Sequence, residues 1–411
     1  MKILYISAWR PTMNDTFVIR EIMELAQNGN EVVICVLKNV SSRNAGLNAS
    51  NINEKNVSIV TFNFNIFQIL TGFFWLLFTK PKKFFICFKE LVKSCLCQIS
   101  KAHHFIFIFF AAVFFSREKS VRDGKYIHAH FLHSGAVAAR WLGQFVECPY
   151  GITSHIAKIR YKKSLMSQVI KGASILIGDT EETINFMESI SGKRGILIRN
   201  GITLENFEYQ SPKEYSNGSD VFNILACGTL IPPKGFDVLI EACKILEKNN
   251  FNFHCKIVGD GSERERLEKL GEFLIKGGLL EMPGALPIDQ LLIEYKKADV
   301  LVVPSMPSKF GRDGLPTVII EAMALGVPVI ATNYAAIPEI VLNNKTGLLV
   351  PPLNPKSLAE AIIRYKNDYS LRARISQEAR KKVEAEYDLR KNIELFLRMI
   401  FEATNTKSEV I

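Results

Sequence analysis

Two acids, Asp313 and Glu321, stand with seven residues between them in the stretch FGRDGLPTVIIEAMALGVPVIAT, residues 310–332. The stretch reads as a loop, a helix and then a buried strand. Pro316 sits where the first helical position tolerates it, and Gly326 ends the helix. The loop Gly311–Leu315 then runs over the helix N-terminus, where Thr317 and Val318 offer unpaired backbone N–H groups. Glu321 lies about one turn in and Asp313 reaches from the loop, so the two acids address different parts of one extended ligand. A plain reading stays open, in which one acid only offsets the helix dipole.

Other groups point to phosphate or to acid–base chemistry. Gly228 follows the strand pattern FNILAC, and Lys234-Gly235 opens the next helix. A flexible turn there delivers a cation and free N–H groups, which suits a diphosphate; a Gly-capped turn with a surface lysine gives the same pattern. Gly259, in the V-G-D-G of residues 258–261, either lets a ligand approach or lets another part of the chain do so. His155 follows a strand, where a structural histidine and a catalytic one look alike. His128 and His130 alternate onto one strand face, and no third ligand is spaced for a metal.

These residues must be positioned by an α/β frame. Short apolar strands alternate with helical patterns, the signature of doubly wound parallel sheets. ILYIS, EVVICVL, YIHAHF, PYGIT, SILIGD and GILIRNG are strands of a first domain, with helices over 16–28 and 133–144. The polar, turn-rich Ser211–Asp220 reads as a linker. FNILACG, HCKIVG, DVLVVPS, VPVIAT and TGLLVPP are strands of a second domain, with helices over 235–248, 262–276 and 337–342. The expected domains are 1–210 and 211–388, with a last helix from 389 long enough to return to the first. Two such domains facing each other would bind ligands in the cleft at their strand ends.

The 411 residues, 48% hydrophobic and 22% charged, suit two globular domains of roughly 200 residues each. The net charge of +10 is concentrated at the front: residues 1–200 hold 25 Lys+Arg against 13 Asp+Glu, leaving 26 against 28 for the rest. An anionic partner follows, a phospholipid surface rather than nucleic acid, because no nucleic-acid recognition signature is present. Two apolar runs, 66–78 and 105–115, are each shorter than the ~20 residues that span a bilayer and read as core or interfacial helices. Between them Lys80, Lys82, Lys83, Lys89 and Lys93 interleave with Phe84, Phe85 and Phe88. That mixture fits a helix lying in an anionic membrane interface, and equally a packed helix covered by solvated lysines. MKILYISAW reads as a first strand, not a signal peptide. The eight scattered cysteines, with only Cys95 and Cys97 close together, read as reduced thiols of a cytosolic protein.

The order acid-Gly-Leu-Pro, Glu321, then AMALGVPV resembles the donor-site motif of the retaining nucleotide-sugar glycosyltransferases of family 4, which have the GT-B fold. FNILACGTLIPPKG, KIVGDGSERERL, ADVLVVPS, IPEIV and NKTGLLVPP continue the likeness through the second half. In the first half PTMNDTFVIREI, YIHAHF and ITSHIAKI resemble bacterial exopolysaccharide enzymes of the colanic-acid type. The resemblance implies that Glu321 holds the nucleotide ribose and that Asp313 binds the donor sugar. It also implies that N–H groups from Gly314, Leu315, Pro316's neighbours, Thr317 and Val318 meet sugar and phosphates. Gly228, Thr229 and Gly259 line the same donor site, Lys234 neutralises the diphosphate, and His155 stands beside the transferred sugar; Thr16 and His130 fall on the acceptor side. Thr229 stands where most relatives have Arg, and 9–16 (WRPTMNDT) replaces a Gly-Gly loop, so diphosphate binding rests more on Lys234, helix N-termini or Arg312. The implied enzyme takes a nucleotide-sugar donor and a lipid-linked saccharide acceptor at the cytoplasmic face of the inner membrane, without cofactor or obligatory metal. A nucleotide-sugar epimerase of the same fold and a non-catalytic membrane-bound scaffold are the rival readings.

Overall fold

A computed structural model describes residues 1–9, 16–38, 56–155, 161–215, 220–308 and 315–405. The chain divides into two compact units, Met1–Gly201 with Leu389–Ile411, and Ile202–Asp388. The division falls nine residues ahead of the expected one. The reason is apolar: Ile202 and Phe207 are buried in the second unit's core, and Arg372 donates to the Lys213 carbonyl at 3.0 Å, tying the would-be linker to that unit.

The first unit holds a parallel sheet of β1 (Lys2–Trp9), β2 (Glu31–Lys38), β3 (Val57–Thr61), β4 (Tyr126–His130), β5 (Tyr150–Ser154), β6 (Ile175–Gly178) and β7 (Ile196–Leu197). Its order is β3-β2-β1-β4-β5-β6-β7. β2, EVVICVLK, is buried along its whole apolar run, as expected when helices cover both faces of a parallel sheet. β3 is absent from the sequence reading, because VSIVT is short and its residues are at most half-buried. The order reverses between β1 and β4, the switch point at which doubly wound sheets bind ligands beyond the strand ends.

Between β3 and β4 three long helices intervene, Ile66–Thr79, Pro81–Cys97 and Ala102–Arg117, followed by the short Lys119–Arg122. Asn65 caps the first by accepting from the Phe67 and Gln68 amides at 3.0 and 3.3 Å. Ile99–Arg117, at 19 residues, is longer than the apolar run marked in the sequence and is long and apolar enough to cross a membrane. Half of that window is packed inside the protein, and Phe105, Ile108, Phe109 and Phe115 join the core around Trp141. This is the packing of a core helix.

The second unit holds β8 (Phe222–Cys227), β9 (Phe253–Val258), β10 (Leu280–Gly284), β11 (Val300–Val303), β12 (Val329–Thr332) and β13 (Leu348–Val350), in the parallel order β10-β9-β8-β11-β12-β13. β10, LEMPG, was not expected, since its alternating burial and proline obscure a strand. The helix expected over 262–276 is two, Arg264–Leu270 and Glu272–Lys276, broken at Gly271. Apolar clusters cover both faces of the sheet. The helix Leu389–Asn405 belongs to the first unit, where Leu389, Ile393, Phe396 and Ile400 pack against β1, β2 and the helix Thr16–Gln27.

Candidate active site

At the C-terminal ends of β8, β9 and β11 the chain brings several marked residues together. Gly228 N–H donates to the Val258 carbonyl at 3.0 Å, Leu230 N–H to the Asp260 carbonyl at 2.9 Å, and Met306 N–H to the Pro233 carbonyl at 2.9 Å. Gly259 has φ +148°, and a Cβ there would lie 1.9 Å from the Gly228 carbonyl oxygen. Its glycine therefore serves the approach of two loops, the plainer of the two readings for V-G-D-G. Lys234 reaches back over the first of these loops: its Cε lies 3.6 Å from the position a Gly228 Cβ would take. Thr229, beside Gly228, is exposed.

The helix Thr317–Leu325 begins at this same sheet end. Pro316 is its N-cap, in extended conformation, one position earlier than expected. A proline cap offers no side-chain acceptor, so the first-turn N–H groups of half-buried Thr317 and Val318 keep their donor capacity for other partners. Leu315 is buried and anchors the cap, and Gly326, at φ +86°, ends the helix as expected. Glu321 is 5% exposed. The Tyr295 hydroxyl donates to its Oε2 at 3.2 Å, and the Cys227 thiol donates to that hydroxyl at 3.6 Å. Burial pushes the Cys227 thiol up to about 12, with Glu321 adding to the rise and Lys234 opposing it. Both charges thus act on one buried spot at the end of β8. Asp313, Gly314 and Arg312 lie outside the described residues.

The first unit carries a different construction. At the ends of β4 and β5 runs a chain of side chains from six segments, the strand β1, the helix Thr16–Gln27, the end of β4 and the loops after β5, β6 and β7. Tyr5 donates its hydroxyl hydrogen to Glu21 Oε1. That oxygen is 3.1 Å from His130 Nε2; His130 Nδ1 is 2.8 Å from His155 Nε2; His155 Nδ1 is 3.0 Å from Asp179 Oδ2. Asn200 donates to the same Oδ2 at 3.0 Å. The two imidazoles are parallel within 6°, and Phe17 lies over His155 with centroids 4.4 Å apart. Burial raises the Glu21 carboxyl, but His130, with His128 and the Tyr5 hydroxyl adding to it, holds the group down at about 2. Burial, with His130 adding to it, depresses His128 to about 3, and its Nε2 is 2.9 Å from Thr153 Oγ1.

The sequence reading marked His130 on the acceptor side and His155 beside the sugar; both are buried, with both ring nitrogens engaged. It missed Glu21, Asp179, Asn200 and Tyr295. Asp179 alone left a signal, as the acid closing SILIGD. Thr16 opens its helix, and its side chain lies outside the described residues. Glu21, His128 and His130 place one ligand-type atom each within 4.8 Å of one another, so Glu21 provides the third group that spacing alone lacked. Each of the three is bonded to a protein partner, and no ion is assigned there. A groove of about 460 Å³ opens at the ends of β1 and β2, lined by Trp9, Lys38, His103, His104, Phe107 and Ser134.

Comparison with known proteins places this architecture. The family described as glycosyl transferases group 1 matches residues 210–382. The Escherichia coli protein named as a colanic acid biosynthesis glycosyltransferase, WcaL, is 32% identical over 192 residues, 46% of this chain and 47% of that protein; the aligned part is about half the length of such a relative. The uncharacterized glycosyltransferase MJ1607 of Methanocaldococcus jannaschii is 30% identical over 281 residues, 60% of this chain and 70% of that protein. Among solved structures, Anabaena Alr3699/HepE in complex with UDP superposes with a TM-score of 0.72 at 16% identity, covering 98% of this chain and all of that one. That likeness shows the fold, two Rossmann-like units of the GT-B class. With a glycine-lined loop end, Lys234 and Glu321 inside the matched segment, the chain belongs to the glycosyl transferases group 1 family.

Proposed function

We propose that the protein moves a sugar from a nucleoside-diphosphate sugar to a lipid-linked saccharide, with retention at the anomeric carbon, in the synthesis of a bacterial cell-surface polysaccharide. One observation carries the reading: Lys234, Glu321 and the proline-capped N-terminus of Thr317–Leu325 gather at one sheet end. In this role Glu321 holds the ribose, while Lys234 and the N–H groups of Thr317 and Val318 take the diphosphate. Asp313 and Gly314 bind the donor sugar, and His155 serves the sugar being transferred. Charge on the departing diphosphate is met by Lys234 and the helix terminus, with no obligatory metal. The names of relatives in colanic acid and capsular polysaccharide biosynthesis support the pathway class.

The protein sits on the cytoplasmic face of the plasma membrane in this reading. Support comes from the helices Ile66–Thr79 and Pro81–Cys97, which leave Phe67, Phe74, Phe78, Phe85 and Leu96 exposed beside exposed Lys82, Lys89 and Lys93. Phe78 is 80% exposed. Rings and lysines together suit an anionic interface.

The test is titration calorimetry with UDP, GDP and their sugar conjugates, followed by transfer assays with and without EDTA. One nucleotide should bind selectively, Glu321→Ala should weaken it about tenfold or more, and EDTA should leave transfer intact. No binding by any nucleotide moves the reading to a membrane-bound scaffold.

A further inference from the structure

Three contacts run in series from Glu21 through His130 and His155 to Asp179, at 3.1, 2.8 and 3.0 Å. Each joins two atoms that carry lone pairs, so each needs one hydrogen. Two neutral imidazoles bring two N–H groups in total. The contacts need three.

The ends of the chain cannot readily supply the third hydrogen. Glu21 already accepts from Tyr5 on the oxygen that faces His130. Asp179 Oδ2 accepts from Asn200 at 3.0 Å; Asn200 Nδ2 also lies 3.4 Å from His155 Nδ1, the longer of its two contacts, so the 3.0 Å contact of His155 with Asp179 still lacks a hydrogen of its own. Each carboxylate oxygen that faces a histidine thus already accepts from a further donor, Tyr5 or Asn200. We infer that His130 and His155 hold three protons between them, one shared positive charge, and that Glu21 and Asp179 are positioning residues that fix it at the ends of β4 and β5.

Among the described residues the titratable groups facing this pair are few. They are Tyr5 from β1, Glu21 from its helix, His128 from β4, and Asp179 beyond β6. Arg199, beyond β7, donates to the Asp179 carbonyl at 3.4 Å. The helix Leu389–Asn405 presents Asn392, which donates to the Arg199 carbonyl at 2.8 Å, and Phe396, packed on His128. Arg199 opposes a further proton; two carboxylates in direct contact outweigh one guanidinium. With all four ring nitrogens engaged, neither histidine is open to take a proton from a substrate. What the pair offers to a reaction is charge, not base catalysis. That catalytic consequence rests on the transferase reading above; the proton count does not.

The count is measurable in the full chain. Selective ¹⁵N labelling of the seven histidines and long-range proton–nitrogen correlation at pH 7 report the state of each ring nitrogen. At most one of the four nitrogens of His130 and His155 should be of the unprotonated type. Two such nitrogens would overturn the inference, with the third proton on Asp179. The conservative variants sharpen it, because each removes one anion and lowers the count to two with a different tautomer. Asp179→Asn should leave both rings protonated at Nε2, and Glu21→Gln should leave both protonated at Nδ1. A merely structural role predicts no such mirror change. In a transfer assay Asp179→Asn should lower kcat about tenfold with donor KM within twofold, and should recover as pH falls. An unchanged kcat beside a confirmed count removes the positioning role; absence of transfer by the wild type removes the transferase reading and leaves the count standing.

Discussion

The ends of β8, β9 and β11 are lined by backbone and glycine, whereas the ends of β4 and β5 carry a side-chain relay drawn from positions 5, 21, 130, 155, 179 and 200. The first kind of site is made by the path of the chain itself. Its tolerance is steric: Gly259 and Gly235 leave no room for a Cβ, which would meet carbonyl oxygens at 1.9 and 2.1 Å. The second kind is made by matching donors to acceptors, and its tolerance is electrostatic. Substitutions should therefore damage the two units in different currencies, volume in one and proton balance in the other.

The strongest way to break that contrast is Gly259→Val. Positive φ and the close Gly228 carbonyl together should cost about 4 kcal/mol, read as an earlier urea transition. A wild-type transition would show that the loops are not closely apposed. Next in size, the triple variant K82E/K89E/K93E should lose about 3 kcal/mol of binding to anionic vesicles, roughly 150-fold, at ~1 kcal/mol per lysine. Nucleotide binding should not change, since all three lysines lie in the first unit. Equal loss of both would erase the division of labour.

Acid supplies the third test. His128 is held neutral down to about pH 3 in the folded protein, against an ordinary value of 6.5. Its contribution is fully present above pH 6.5 and is lost as pH falls, by about 2 kcal/mol between 6.5 and 4.5. Below 4.5 protonation of Glu21, held at about 2, adds to the loss. All three tryptophans, at 9, 75 and 141, lie in the first unit, so their fluorescence reads that unit directly. Stability flat over this range would mean that His128 is solvated. The smallest effect is Tyr295→Phe, which removes one hydrogen bond to Glu321. About 1 kcal/mol of stability should go, without loss of the fold.

The sequence made the second unit far more legible than the first. Glycines, prolines and helix starts are local signals, so the placement of Gly228, Lys234, Gly259 and Glu321 near strand ends and helix starts was readable, while their roles toward a donor belong to the proposal. Pro316 was misplaced by one position because a proline suits either the cap or the first turn. The relay was not readable, since its members are joined only by sheet order: His130 ends β4, His155 follows its neighbour β5, and Asp179 follows β6. Nothing in the pattern around Glu21 distinguishes it from a surface acid on an amphipathic helix. β3 and β10 were missed for a similar reason, because neither has a continuous apolar run.

The helix Leu389–Asn405 completes the first unit although the whole second unit precedes it in the chain. During synthesis, residues 202–388 leave the ribosome as one continuous segment and can fold at once. The first unit gains Phe396, which covers His128, and Asn392, which holds the Arg199 loop, only after that segment has been made. The order of completion is therefore the reverse of the order of sequence: the glycine-lined sheet end can be whole first, and the histidine pair acquires its full surroundings after it.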